Sequence, residues 1–479
     1  MTEGGPERTT SREAREAADL LLLDLDWLVT VDAERRVIRD AGLAVKDGRF
    51  AAVGKSRDVE RAWTARLVVR GRDRVALPGL IDSHLHSSFQ LSRGLADEVG
   101  TRDFLFKRMF PYEGAMSEED VHVSALFAAM ELLRHGVTCF VDPGNYHPEA
   151  TGRGVLEAGM RAVLGRSAFD LTKAVLGILP AGMIETTDEA LERTRALLEH
   201  VASRNDPRLT ASVSFRGLSN ASDALILGCK TLADEHGCVL QTHACFNYST
   251  HDDCIANFGL PEIERLESLG VLDERMLLAH SGWLEPREVE LVLRRRPSLV
   301  AAPSSSLHNG YGNLARGRFP ELMALGVNVG IGSDHACSGI TDLVQELFLF
   351  SGTYKELCAN PRVLPPEAVV EMATVNGARC AGLADRLGSV EVGKEADLVL
   401  FDTRFPEWQP LYNPVSNLVY SATGGSVSEV FVAGECVVEH GRLTRVDEAE
   451  VLRAVRGTSA RIAERIGADR LTSLRWPVS

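Results

Sequence analysis

The stretch LPGLIDSHLH at residues 77–86 is a short apolar run that ends in two histidines, His84 and His86. Residues two apart on a β-strand point to the same face, so both imidazoles can reach one metal ion while Leu85 points to the other face. Three later apolar runs also end in potential metal ligands: CVLQTH at 238–243, RMLLAH at 275–280 and VNVGIGSDH at 327–335. Because the active site of a (β/α)8 barrel lies at the carboxyl ends of its parallel strands, these side chains are predicted to converge there.

In the rest of the chain, strand-like and helix-like sequence patterns alternate, which predicts an α/β fold. Strand-like runs such as GVTCFVD at 136–142 and SLVAAPS at 298–304 are separated by helix-like stretches such as 118–136, which is typical of repeated βα units and a parallel sheet. Both chain ends are instead rich in short strands. We therefore predict a (β/α)8 TIM-like barrel over residues 77–386 and a small β-sandwich domain built from residues 17–76 and 387–445. Residues 1–16 are predicted to form a disordered tail, and residues 446–479 a C-terminal helical segment.

Composition limits the kind of partner that the chain can bind. Its 479 residues, of which 45% are hydrophobic, can fill the core of a large barrel and of a smaller module. The formal net charge of −15 argues against binding nucleic acid or an anionic membrane through bulk charge. The nine cysteines form no C-x-x-C pair, which suits reduced thiols in a cytosol. We expect a cytoplasmic homo-oligomer that acts on a small molecule.

The chain resembles the amidohydrolase superfamily over about residues 18–443, in a set of motifs that occur in the family's order: PGLIDSHLH, SRGLADE, GVTCFVD, QTHA, LLAHSGW, GVNVGIGSDHACSG and GSVEVGKEADLVLFD. It is most similar to the branch that holds guanine deaminase, S-adenosylhomocysteine deaminase, triazine hydrolases and phenylurea hydrolases. The resemblance implies the same fold that the strand and helix pattern predicts.

The resemblance also implies one divalent metal, with zinc expected and iron as the alternative. Its ligands would be His84, His86, His243 and Asp334. The catalytic residues would be His280, beside the attacking water, and Asp334, which would accept a proton from that water. No lysine ends the middle strands where binuclear members carry a carboxylated one, so a single metal is expected. Cys245 and Cys337 are interpreted as buried apolar residues rather than further ligands.

The chain departs from its ring-deaminating relatives at Phe246. Those relatives have the pattern T-H-x-x-E after the fifth strand, and the glutamate gives a proton to the ring nitrogen, whereas here the pattern ends in Phe246. A positioned general acid typically contributes about 10²–10⁴ in rate, so its loss matters. Either another group, for which His308 and His335 are the nearest candidates, supplies the proton, or the substrate does not require one.

Phe246, His308 and His335 are candidates for contacts with the substrate, and so are three further side chains. Arg216 stands where ring deaminases have a H-x-P-Y-like stretch, and together with Arg166 it could hold a carboxylate or carbonyl of the substrate. A salt bridge to a carboxylate of the barrel explains Arg216 equally well. Gln90 follows the two histidines of the first motif, and it faces either the pocket or another polar group of its own loop.

The leading functional hypothesis is a mononuclear metal-dependent hydrolase that cleaves a non-peptide C–N bond of amide, urea or carbamate type. The alternative is a deaminase or chlorohydrolase of a nitrogen heterocycle such as a purine, a pterin or an s-triazine. A third hypothesis, a non-catalytic metal-binding homologue, is disfavoured because a scaffold without activity has no need to retain every ligand position.

Overall fold

The computed structural model describes residues 15–171, 173–174, 177–467 and 476. Residues 1–14 of the predicted tail, and residues 468–475 and 477–479 of the predicted C-terminal segment, lie outside the described residues. Within the described part, Glu16 already belongs to a strand and pairs with Trp63. The predicted tail, which ends at residue 16, therefore extends one residue into this strand.

The strands of the described residues are, in chain order, β1 (Glu16–Val29), β2 (Val37–Lys46), β3 (Arg49–Lys55), β4 (Trp63–Arg70), β5 (Arg74–Pro78), β6 (Leu80–Asp82), β7 (Val137–Asn145), β8 (Arg161–Arg166), β9 (Lys173–Ala174), β10 (Gly177–Ile178), β11 (Leu209–Ala211), β12 (Val213–Gly217), β13 (Leu240–Ala244), β14 (Met276–His280), β15 (Ser298–Ala301), β16 (Val329–Ile331), β17 (Leu398–Asp402), β18 (Val427–Val432), β19 (Glu435–Glu439) and β20 (Arg442–Leu443).

The α-helices of the described residues are α1 (Ser56–Ala62), α2 (Thr101–Asp103), α3 (Phe110–Gly114), α4 (Glu118–Arg134), α5 (Pro148–Ala158), α6 (Thr187–Arg204), α7 (Asp223–His236), α8 (Tyr248–Phe258), α9 (Glu262–Ser268), α10 (Pro286–Arg295), α11 (Pro303–Asn309), α12 (Asn313–Arg316), α13 (Phe319–Ala324), α14 (Leu343–Leu357), α15 (Pro366–Met372), α16 (Val375–Cys380), α17 (Pro414–Tyr420) and α18 (Glu448–Ile466). A 3₁₀ helix at Ser87–Ser92 and a π-helical turn at Phe104–Met109 precede α3.

Two parallel sheets occupy the centre of the chain, which confirms the α/β class. One has the strand order β11-β8-β7-β6 and the other β12-β13-β14-β15-β16. Parallel neighbours require crossover connections, and helices such as α4, α5, α7 and α10 lie between consecutive strands. The strands are almost completely buried, as expected for a parallel sheet with helices packed against it.

Hydrogen bonds connect the outer strands of these two sheets. At one seam β11 runs through Ser212 directly into β12, and the amide of Ser212 donates to Leu164 O at 2.9 Å. At the other seam the amide of Ser83 donates to Ile331 O at 2.9 Å, and the amide of Asp334 donates to His84 O at 2.9 Å. The carboxyl ends of β6 and β16 therefore lie side by side.

Both chain ends contribute to one further sheet of nine strands. Its order is β20-β19-β18-β17-β5-β1-β2-β3, with β4 beside β1. The junction of the two ends is the antiparallel pairing of β17 with β5, where Val399 lies opposite Leu77. The two-layered arrangement of a β-sandwich is not confirmed by this sheet order.

None of the described helices has the length and apolar character that crossing a membrane requires.

Candidate active site

The predicted site residues meet at the carboxyl ends of the parallel strands. His84 and His86 follow β6, His243 lies in β13, His280 ends β14, and Asp334 follows β16. His243 is half-buried and the other four are buried. The candidate ligands at the ends of the apolar runs thus lie together at the carboxyl ends of these strands.

The distances between these side chains suit one metal ion. Nε2 of His86 lies 3.0 Å from Nε2 of His243, and Nε2 of His84 lies 3.4 Å from Oδ1 of Asp334. Two ligand atoms of a tetrahedral zinc, each about 2.0–2.1 Å from the metal, lie roughly 3.3 Å apart. Nε2 of His84 is buried and has no hydrogen-bond partner among the described residues, which a metal would provide. The donor set therefore fits a divalent cation.

Neighbouring groups orient the predicted ligands. Nδ1 of His243 donates to the backbone carbonyl of Arg216 at 2.6 Å, because a carbonyl can only accept, and this leaves the lone pair on Nε2. The hydroxyl of Ser305 donates to Oδ2 of Asp334 at 2.6 Å, which leaves Oδ1 towards the histidines. Asp82 accepts the hydroxyl of Ser333 at 2.5 Å and so holds the ends of β6 and β16 together.

Four residues at the strand ends have a left-handed backbone. The φ angles are 50° at Cys245, 75° at His280, 53° at Ser281 and 64° at Asp334. Such a conformation in a residue other than glycine costs of order 1–3 kcal/mol and is concentrated at functional sites. Here it turns the chain sharply at the ends of β13 and β14 and after β16, where the predicted catalytic side chains leave the strands.

The protonation states favour cation binding. Burial holds the pKa of His86 and of His243 well below the usual range, and it lowers the pKa of His280 to about 3. Burial opposes ionisation of Asp334, but the imidazoles of His335, His84 and His280 around it hold its pKa well below the usual range. Neutral imidazoles beside an ionised carboxylate are the forms that bind a metal.

The site opens onto a cavity with a largely aromatic wall. Beside the predicted ligands His86, His243 and Asp334 it is lined by the aromatic side chains Phe89, Phe104, Phe106, Phe110, Phe246 and Tyr311. The ring of Phe246 lies 5.4 Å from that of His280 and 5.5 Å from that of Tyr311. A concave, mostly apolar site with few polar groups is typical of small-molecule binding, and flat rings favour a flat ligand.

Three of the predicted substrate-contacting residues, Arg216, Phe246 and His335, line this cavity. Arg216 also forms the salt bridge that was the alternative explanation, since its Nη1 lies 3.3 Å from Oε1 of the buried Glu113. Nδ1 of His335 lies 2.7 Å from the hydroxyl of Ser338, and its Nε2 lies 3.3 Å from Oδ2 of Asp334.

The other two, Gln90 and His308, are not among the residues that line the cavity, so their placement does not support the predicted contacts. The amide of Gln90 donates to Oε2 of Glu131 at 2.5 Å and to the hydroxyl of Thr341 at 2.9 Å. The side chain of His308 is 37% exposed and its Nε2 lies 3.1 Å from Asp97.

Arg166, a weaker candidate, is also directed elsewhere. Its Nη1 donates to Oε2 of the buried Glu185 at 2.8 Å. Cys245 and Cys337 are fully buried, and burial raises the pKa of both thiols. Burial thus favours the neutral form of both thiols.

Ionisable Glu262 also lines the cavity, and no sequence pattern predicts it. It opens α9, and its Oε2 accepts the amide of Cys245 at 2.6 Å. Burial, with the nearby carboxyl of Glu288, raises the pKa of Glu262 to about 8. Nothing in the run PEIERLE distinguishes this residue from an ordinary first turn of a helix. Tyr311 was also missed, although it follows closely after His308.

Comparisons with known proteins agree with this geometry. The family model described as "Amidohydrolase family" matches residues 75–437. A relative from Syntrophus aciditrophicus, named 5-methylthioadenosine/S-adenosylhomocysteine deaminase 1, is 32% identical over 467 residues, which cover 97% of this chain and 100% of that protein.

Two solved structures have the same fold. An adenosine deaminase from Xanthomonas campestris with bound zinc is 27% identical, with a TM-score of 0.88 over 94% of this chain and 100% of that one. An atrazine chlorohydrolase from Arthrobacter aurescens TC1 complexed with zinc is 21% identical, with a TM-score of 0.81 over 92% of this chain and 100% of that one. This chain therefore belongs to the amidohydrolase family and is a metal-dependent hydrolase of carbon–nitrogen bonds.

Proposed function

We propose that this protein is an aminohydrolase that removes an exocyclic amino group from a flat nitrogen heterocycle, such as the base of a 6-aminopurine nucleoside. The observation that carries the proposal is the cavity, in which the cluster of predicted ligands faces a wall of aromatic rings. The similarity to a deaminase along nearly the whole chain supports the same reaction. The chlorohydrolase alternative has weaker support, because the chlorohydrolase structure is only 21% identical.

We further propose the finer architecture that the sequence predicts. When β11 and β12 are counted as one strand, the two sheets supply eight parallel strands, and the hydrogen bonds at both seams support a closed (β/α)8 barrel over residues 77–386. The shared sheet supports a separate domain built from residues 17–76 and 387–445, for which a β-sandwich remains our proposal. The helix α18 forms most of the proposed C-terminal segment.

We propose that one zinc ion is the cofactor and that His84, His86, His243 and Asp334 hold it. A metal held by these residues would lower the pKa of a bound water towards about 7 and would polarise the carbon under attack. In this proposal Asp334 accepts a proton from the attacking water and passes it to the leaving nitrogen. His280 orients that water as a neutral imidazole, since burial lowers its pKa to about 3. Arg216 and His335 form polar parts of the cavity wall, and the ring of Phe246 is available to stack on the substrate.

Cleavage of an amide, urea or carbamate bond remains a second candidate, and the observation that favours it is Phe246. In these substrates the leaving nitrogen itself takes up the proton, so a carboxyl at position 246 is not needed.

We also propose that the protein works in the cytoplasm, which its nine free cysteines support, and as a homo-oligomer. Association would cover exposed apolar side chains such as Phe348 and Tyr412.

Release of ammonia from a panel of substrates tests the proposed reaction. We expect the metal-loaded protein to release ammonia from 6-aminopurine nucleosides faster than it cleaves simple amides, phenylureas or carbamates, because a flat base can stack on the aromatic wall. The 6-chloro analogue of the same nucleoside reports the chlorohydrolase alternative. Cleavage of ureas or carbamates without deamination of any heterocycle would contradict the proposal and support the second candidate.

A further inference from the structure

Deamination of a ring requires a proton at the ring nitrogen next to the carbon under attack, and the residue at position 246 cannot give one. The two histidines considered as replacements are poorly placed for this task. His308 lies outside the cavity and pairs with Asp97. His335 lines the cavity, but both of its ring nitrogens lie near other groups, Ser338 and Asp334. The donor must come from another part of the wall.

We propose that Glu262 is this donor: it faces the substrate cavity beside Phe246 and gives its carboxyl proton to the ring nitrogen of the substrate. The proposal rests on the deamination proposed above and adds a catalytic residue to it. It also explains how the chain retains ring chemistry with phenylalanine in the position that a carboxyl occupies in similar enzymes.

The position of Glu262 supports this role. Its side chain is 2% exposed and lines the same cavity as Phe246, Thr250 and His280. The amide of Cys245 donates to Oε2 at 2.6 Å, which fixes the carboxyl next to the residue that precedes Phe246. The side chain of Cys245 interacts with the same carboxyl. The carboxyl is thus anchored to the end of β13 while the side chain lines the cavity.

The surroundings of Glu262 favour the protonated carboxyl. The titratable groups around it are Glu288 of α10, Asp253 and Cys254 of α8, and Cys245 after β13. Two basic side chains lie nearby but are directed to other groups: Arg265 of α9 donates to Leu218 O, Ala221 O and Asp223, and His251 of α8 interacts with Glu288. Within the described part of the chain it forms no salt bridge. Burial and the neighbouring carboxyls raise its pKa to about 8, so it can donate a proton at neutral pH.

The proposed reaction conserves atoms, protons and electron pairs. The oxygen of the attacking water bonds to the ring carbon, the C=N electron pair moves to the ring nitrogen, and Glu262 protonates that nitrogen. Asp334 takes one proton from the water and passes it to the exocyclic amine. The C–N bond breaks, ammonia leaves with the bonding pair, and the remaining hydroxyl proton returns to Glu262 as the ring carbonyl forms.

Glu262→Gln tests the role, because the amide side chain can still accept the hydrogen bond from Cys245 but cannot donate a proton to the ring. We expect kcat to fall by about 10²–10⁴, with KM and metal content unchanged. In the wild type, kcat/KM should fall as pH rises through about 8, because Glu262 loses its proton. This fall should be absent from the variant.

The matched control is Glu346→Gln. Glu346 is also buried, its pKa is also raised to about 8, and it does not line the cavity.

Two results separate a failure of this proposal from a failure of the proposed function. If the wild type deaminates a heterocycle and Glu262→Gln does so at the same rate, Glu262 is not the donor. If the wild type deaminates no heterocycle, infrared difference spectra between wild type and Glu262→Gln decide without any turnover. A protonated carboxyl band at pH 7 that shifts when purine riboside binds supports the donor role, and absence of that band or of the shift overturns it.

Discussion

Asp334→Asn is expected to abolish turnover and to reduce the metal content sharply. The substitution keeps the size of the side chain but removes the charge that faces His84 and His86, and with it the group proposed to move the proton of the attacking water. Loss of proton transfer alone costs about 10²–10⁴ in rate, and the weaker metal site adds to this loss. Steady-state turnover and elemental analysis of the same preparation measure both effects.

A matched control is Asp342→Asn. Asp342 is buried like Asp334, and asparagine can still cap the N-terminus of α14 through Oδ1, although it loses the oxygen that accepts from Gly424 and Gln345. This variant should retain metal and turnover. If Asp334→Asn retained near-normal activity with a full metal content, the proposed role of Asp334 would be refuted.

His280→Ala is expected to lose turnover while it keeps the metal. The imidazole ends β14 beside the cluster, and its centroid lies 5.5 Å from that of His243, yet we place it with the attacking water rather than in the ligand set. A loss of about 10²–10⁴ in kcat is expected for a group that assists proton transfer. The comparison variant is His308→Ala, which removes an imidazole outside the cavity and should behave like the wild type.

Metal content distinguishes the two possible roles of His280. His84 and His243 also form a compact group with His280 that could hold a cation. If His280→Ala lost as much metal as His84→Ala, then His280 would be a ligand, and the ligand set proposed above would have to include it.

The strand-end residues could be predicted because one physical rule determines their position. A buried strand with a known direction delivers its last side chain to the carboxyl edge of a parallel sheet, and this placed His84, His243, His280 and Asp334 correctly with respect to one another. The same rule identified the α/β class from the alternation of apolar runs and amphipathic stretches.

Residues on the connections could not be placed in this way. Gln90 follows the metal motif closely, but the 3₁₀ helix at Ser87–Ser92 directs its amide to Glu131 and Thr341. Glu262 lies far along the chain from His243 and reaches the cavity because the connection between β13 and β14 folds α9 back over the strand end. The position of α9 cannot be predicted from residue spacing, because it depends on the tertiary packing of α8, α9 and α10.

We propose that one metal ion, held at the ends of β6, β13 and β16, is responsible for hydrolysis. The most direct test is to remove the metal with a chelator, add zinc back in known amounts, and follow ammonia release together with the bound metal per chain. We expect no activity without metal, and an activity that rises linearly with added zinc and saturates at one equivalent per chain. Saturation at two equivalents, or activity that does not depend on the metal, would contradict this proposal.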